Sequence, residues 1–325
     1  MKKLLLIVAA IVVLLVAVVL IAPFLIPVDT YKQQIAKQVE SATGRQFTIE
    51  GDLSLSILPR TQLTANQVRF ANADWAEAPQ MARFERMQVR VNPFALLSGQ
   101  LKVESFVLRQ PVIHLAKNAD GQGNWQFAQM SGGAADGQPS GDTGGGSGGG
   151  AGGGVGTGPL QDISLNDVRL VDGTVTYRDA QSGQTSEITG VNMTVNLASL
   201  DAPMTAEGAL TWNGEAIDLD LEVATPRQLM AGEQAGIVAK VSADPVDLSF
   251  DGQLVNAAPR RVQGEVELDV PSIKQLAAWT GNPIEAPEGT LETFKLAGTV
   301  DAKGQTYGFS ASEIVFDKIT GEGQF

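Results

Sequence analysis

The stretch Val103–Phe127, VESFVLRQPVIHLAKNADGQGNWQF, holds the single histidine of the chain and decides how the rest is read. Phe106 and Leu108, then Ile113 and Leu115, recur at every second residue, the period of a strand with one apolar face. His114 shares the other face with Val112. The chain has no cysteine and no second histidine to complete a metal site or a nucleophile pair. His114 therefore reads as a polar strand position, and the segment as strand, tight turn, strand: one unit of a larger sheet whose shape is the function.

The same period of two recurs along the chain. Phe47, Ile49, Leu53, Leu55 and Ile57 alternate with Thr48, Glu50, Asp52, Ser54 and Ser56. It returns at Met87, Val89 and Val91, and at Val191, Met193, Val195 and Leu197. Further runs are Ile217 to Val223, Val246 to Phe250, Val262 to Val270, and Phe294 to Val300. Turn signals such as WNGE and FDGQ bound these runs. Acidic residues also recur at every second position, as at Asp218 and Asp220 or Glu265, Glu267 and Asp269, which is how a solvated face looks when its opposite side is buried. A long antiparallel sheet, oily on one side, is expected.

Two segments break the pattern. VDTYKQQIAKQVESATG places Val28, Tyr31, Ile35 and Val39 at helical spacing, with Asp29 as N-cap and Gly44 past the end. The helix either packs one face into a core or lies on a membrane. Ser131 to Gly158 has 15 glycines in 28 residues, so it reads as a disordered linker able to interrupt a sheet without separating two domains. Across it, LTANQVRF at Leu63–Phe70 matches ISLNDVRL at Ile163–Leu170. Phe106, Leu108, Pro111, Ile113 and Leu115 likewise match Val168, Leu170, Gly173, Val175 and Tyr177.

At the amino terminus, Leu4 to Ala22 is free of charge for nineteen residues, about 28 Å of helix. The run continues into PFLIP and lacks the short core and small-residue exit of a cleaved signal, so it reads as an anchor. Lys2 and Lys3 place its start in the cytoplasm and the remainder outside. Absence of cysteine fits an exported chain stabilised by its core alone. Val28 to Ala128 carries a net charge of +2 and Pro159 to Phe325 one of −15. The acidic half is a poor partner for nucleic acid.

Other chemistry is not indicated. GGGSGGGAGGG lacks the GK[ST] and following helix of a phosphate loop. Trp75, Trp125, Trp212 and Trp279 are too scattered, and too poor in basic neighbours, for a base-stacking surface. A hydrolase dyad built from the alternating carboxylates has no support. What remains is a sheet whose apolar face needs a second sheet, its own curl or an apolar ligand to cover it.

Three pieces resemble the AsmA family of envelope proteins: TGRQFTIEGDLSLSILP at Thr43–Pro59, LTANQVRFANADWAEAPQMARFERMQVRVNPFALLSGQLKVESFVLRQPVIHL at Leu63–Leu115, and DGQGNWQF at Asp120–Phe127. ISLNDVRLVDGTVTYRDAQSG, after the linker, continues it. The resemblance implies an inner-membrane anchor with a periplasmic, β-rich body, similar at its start to bridge-like lipid transfer proteins, whose sheet curls into an apolar groove. It implies lipid movement or balance between inner and outer membranes and outer-membrane assembly, with no catalytic residue and no cofactor. Members usually run longer, so a membrane-proximal part of such a protein is expected.

The expected organisation is an anchor at 1–27, a helix and strand module at 28–130, the linker at 131–158, and a continuation of the groove at 159–325. The fold class is mainly β, a transmembrane and an amphipathic helix followed by a curled antiparallel sheet. The expected groove lining is Leu53, Leu55, Ile57, Met87, Val89, Val91, Val191, Val195, Leu219 and Leu221. Its partners are membrane phospholipids, with envelope proteins as further candidates. The alternative is a scaffold or assembly factor for outer-membrane proteins, with an internally packed sheet and edges that contact other proteins.

Overall fold

The computed structural model describes residues 28–56, 61–92, 103–127 and 165–324. Ile57 and the 131–158 linker lie outside the described residues, as does the apolar run Leu4–Ala22. Among the described residues, no helix is long and apolar enough to cross a membrane.

The described residues open with α1 (Val28–Thr43), in which Asp29 sits inside the first turn rather than capping it. Gly44 ends the helix at φ 72°, a left-handed conformation that costs glycine no Cβ clash. Its N–H closes on the Glu40 carbonyl at 2.7 Å. Tyr31, Ile35 and Val39 pack against Phe47, Ile49, Leu53, Ala65 and Val68, the buried core cluster. The amphipathic helix thus spends its apolar face on packing.

Among the described residues sixteen strands follow, all in one sheet. The first half contributes β1 (Phe47–Ile49), β2 (Leu53–Ser56), β3 (Thr61–Ala71), β4 (Gln80–Val91), β5 (Val103–Arg109), β6 (Val112–Lys117), β7 (Leu165–Asp179) and β8 (Thr185–Leu197). The second half contributes β9 (Met204–Trp212), β10 (Glu215–Val223), β11 (Gln234–Ala243), β12 (Val246–Val255), β13 (Arg261–Val270), β14 (Phe294–Lys303), β15 (Thr306–Phe316) and β16 (Ile319–Gln324). Two short helices, α2 (Pro226–Met230) and α3 (Ile273–Trp279), interrupt the meander after β10 and β13. The run from Phe47 to Ser56 divides at Gly51, where an added Cβ would lie 2.8 Å from the Asn66 carbonyl oxygen. β1 and β2 therefore pair with different parts of β3.

The sheet is mixed, which corrects the antiparallel expectation. β5 and β6 both run parallel to β7. They are two halves of one kinked strand, not a hairpin. The kink falls at Gln110, φ 48°, beside Asp172 of β7, φ 55°. The bonds Gln110 N to Val171 O and Thr174 N to Pro111 O, both 2.8 Å, stitch the kink into the sheet. A parallel neighbour requires a long crossover, and 47 residues separate β6 from β7 in the sequence. The internal match seen in the sequence is this register: Phe106 opposes Val168, Leu108 opposes Leu170, Ile113 opposes Val175 and Leu115 opposes Tyr177.

The strand order runs from β1 to β16 and the two end strands do not meet, so among the described residues the sheet neither closes into a barrel nor lies under a second sheet.

Candidate functional site

Pairing register fixes which side chains share a face, because directly opposed residues point the same way. One row starts at Leu55 on β2 and passes through Leu63, Val89, Phe106 and Val168 to Val195 on β8. It continues through Ala206, Leu221, Ala239, Phe250 and Val266 to Gly298, Ala311 and Gly323 on β16. The neighbouring row on the same face begins at Leu53, Ala65, Met87, Leu108, Leu170 and Met193. It then runs through Gly208, Leu219, Val241, Leu248, Leu268, Leu296 and Ile314 to Gly321. Neither row contains a polar side chain. At about 4.8 Å between strands, each is an apolar track on the order of 60 Å long.

The track is open along most of its length. Val89, Val195, Leu219, Leu221, Phe250 and Val266 are half-buried, and Leu55 and Leu248 are 41% and 38% exposed. A sealed core would bury such side chains almost completely. Of the residues expected to line a groove, Leu53, Leu55, Met87, Val89, Val91, Val195, Leu219 and Leu221 fall on this face. Val191, two residues before Met193 on β8, shares this face and is buried. Leu53 is buried beneath α1, with Met87 packed against the same cluster, so the two stand where the helix caps the track. Ile57 lies outside the described residues.

The opposite face is polar. Asp218, Asp220, Glu222, Lys240, Glu265 and Glu267 alternate with the track residues and are exposed. Ion pairs tie neighbouring strands here: Arg261 grips Asp301 at 2.8 Å, and Lys295 pairs with Asp269 directly across β13 and β14. The Arg261 hydrogen bond holds the Asp301 carboxyl below the usual range, and the Asp269 bond raises Lys295. His114 lies on this polar face, its Nδ1 2.7 Å from Thr176 Oγ1. Among the described residues no group of His, Asp or Glu is placed to hold a metal.

Two features at the rims escaped the sequence reading. Asn124 of the DGQGNWQF piece is fully buried. Its amide donates to Asn72 Oδ1 at 2.9 Å and to the His114 carbonyl at 2.7 Å, and its oxygen accepts from Ala116 N at 3.0 Å. It thereby satisfies β6 backbone groups that β4 leaves free. The second feature is an arch, residues 271–293, between β13 and β14. It carries α3, and Trp279 at the end of α3 meets Trp212 of β9 with ring centroids 4.9 Å apart at 71°. On its other side Leu291, Glu292 and Thr293 donate backbone N–H groups to the Asp317 carboxylate after β15, at 2.7 to 3.0 Å. A signal for α3 was present: Ser272 followed by Gln275 is an N-cap pattern, and Ser272 Oγ accepts from Gln275 N.

An open, one-face-apolar sheet preceded by a capping helix is the geometry on which a family comparison can be placed. The AsmA family model matches residues 1–248, from the apolar amino terminus into β12. The chain belongs to the AsmA family. No curated protein and no solved structure matches it. AsmA membership is consistent with a role in the cell envelope and its outer membrane. The matched span includes the capping helix, the kinked strand and the first part of the arch-bearing half, so the AsmA-like region and the track overlap.

Proposed function

We propose that this AsmA-family chain is a lipid-handling protein of the periplasm, held to the inner membrane by Leu4–Ala22. Its track shelters phospholipid acyl chains during transfer or balance between inner and outer membranes. The observation that carries this reading is the pair of unbroken apolar rows on an open face. An acyl chain laid along them removes apolar surface from water at about 25 cal/mol per Å² on each side, while a headgroup stays at the wet opening. No covalent step is involved.

The rival is a scaffold whose sheet face is covered by its own chain and whose edges recruit envelope proteins. Half-exposure of Val195, Leu221 and Phe250 favours the lipid reading, since a scaffold gains nothing from an uncovered apolar face.

The test is the phospholipid that copurifies with the full chain, measured by mass spectrometry. A carboxylate in a lipid path costs a few kcal/mol. Val89→Asp and Leu219→Asp are expected to lose bound lipid severalfold at unchanged strand content, whereas Asp220→Asn is expected to keep it. Equal lipid in all four proteins would rule the track out.

A further inference from the structure

The polar face carries a cavity that the track does not use. The loop from Asn72 to Pro79, between β3 and β4, folds against β6 and β7 and leaves about 470 Å³ lined by Trp75, Ala76, Ala78, His114, Ala116 and Thr176. That is within the size range of small-molecule sites. Beside the Trp75 indole, 39% exposed, the lining includes the small side chains of Ala76, Ala78 and Ala116, which leave room.

The charges around it are committed to each other. Arg178 pairs with Glu77, and Lys117 with Asp179 and the Gln181 side chain. The buried amides of Asn72 and Asn124 are bonded to each other and to backbone groups. His114 differs: Nδ1 is engaged by Thr176 Oγ1, which holds the ring in place, while Nε2 has no partner among the described residues. A charged ligand would have to break an existing ion pair to be neutralised here. A neutral one needs only the indole, the alanine floor and one hydrogen bond.

We infer that this cavity is a binding site for a small, uncharged ring compound, its plane against Trp75 and one hydrogen-bonding group on His114 Nε2. The inference is independent of the lipid reading, because His114 lies on the polar face of the sheet and the track, which passes from β5 to β7, on the other.

As the only histidine, His114 is its own reporter. The experiment uses the full chain in nanodiscs, purified without a histidine tag and labelled with ¹⁵N-histidine, and indole as the probe. Indole is expected to shift the His114 imidazole resonances saturably, with half-saturation on the order of 1 mM given its few heavy atoms. Benzoate, similar in size but charged, is expected to leave them unmoved. Trp75→Ala removes the wall and Ala116→Leu fills the floor, and each is expected to abolish saturation. Fold is checked by circular dichroism, and Trp75→Ala, at an exposed loop position, serves if Ala116→Leu fails that check. A shift that never saturates, that persists without Trp75, or that benzoate reproduces overturns the assignment.

Discussion

Trp279, on the helix after β13, donates its indole N–H to the carbonyl of Trp212 at the end of β9, 2.9 Å away. Asn213 returns a bond from its side-chain amide to the Trp279 carbonyl, also 2.9 Å. In strand order these residues are four spacings apart, about 19 Å across a flat sheet. Trp212 lies on the apolar face, opposite Glu215 and Ile188 at the strand ends. The 271–293 arch therefore runs along one rim of the apolar face, back from β13 to β9.

Removing the clasp should loosen the arch and little else. An aromatic pair contributes about 0.5–1.5 kcal/mol beyond its buried area, and a hydrogen bond about 1 kcal/mol. Trp279→Ala is expected to lower the urea unfolding free energy by about 1–3 kcal/mol. Amide exchange should quicken in residues 273–280 and stay slow in β10 and β12. Uniform acceleration through the sheet would show instead that the arch holds the whole half together.

Acid should act on the far end of the same arch. Burial works to raise the Asp317 carboxyl, but the N–H bonds from Thr293, Glu292 and Leu291, with Lys274 nearby, outweigh it and hold it below its ordinary range. A depressed folded value means that the stabilisation is complete above the unfolded value of about 3.9 and is lost as pH falls through the folded one. The gap in urea midpoint between wild type and Asp317→Asn is expected to be present at pH 7 and to close in acid below about pH 3.5. A gap independent of pH contradicts the assignment.

The kinked parallel pair makes a steric prediction. A Cβ on Gly173 would lie 3.0 Å from Pro111 Cγ and 3.2 Å from Val191 Cβ. Gly173→Val should cost about 1–3 kcal/mol by overpacking. Gly321→Val, where an added Cβ meets nothing within 4 Å, should be near neutral. Comparable losses at both sites would mean that backbone entropy, not contact, sets the cost.

Much of this architecture was legible in the sequence because period-two patterning is local. The alternation of Ile217, Leu219, Leu221 and Val223, or of Val262 to Val270, marks a strand and its faces without knowledge of its neighbours. Helix α1 declared itself through its spacing and Gly44. The parallel pairing did not, although its register lay in the match of Phe106–Leu115 to Val168–Tyr177. A Gln-Pro step between two strand-like runs reads as a turn, and only contacts some 62 residues away hold it open as a kink. The arch was missed for a similar reason. Trp212 and Trp279, 67 residues apart, look scattered until the intervening strands bring them together.

The buried amide of Asn124 tests how the rim at β6 is held. Asn124→Ala leaves Ala116 N and the His114 carbonyl without their side-chain bonds, while Asn72 Oδ1 keeps the bond from Ala73 N. Each unsatisfied buried group costs about 1–3 kcal/mol. A loss of at least about 2 kcal/mol in chemical denaturation is expected, and a change under about 0.5 kcal/mol would show that water replaces the amide freely.

The central claim is that the apolar rows carry lipid, and site-specific photo-crosslinking in cells tests it most directly. A photoreactive residue is placed in turn at Val89, Val195, Leu221 and Phe250, which share one row, and at Glu50, Ser54, Arg90 and Asp220 off it. Phospholipid adducts are expected at all four row positions and at none of the others. Robust protein adducts from the second set, with no lipid on the row, would contradict the account and favour a scaffold.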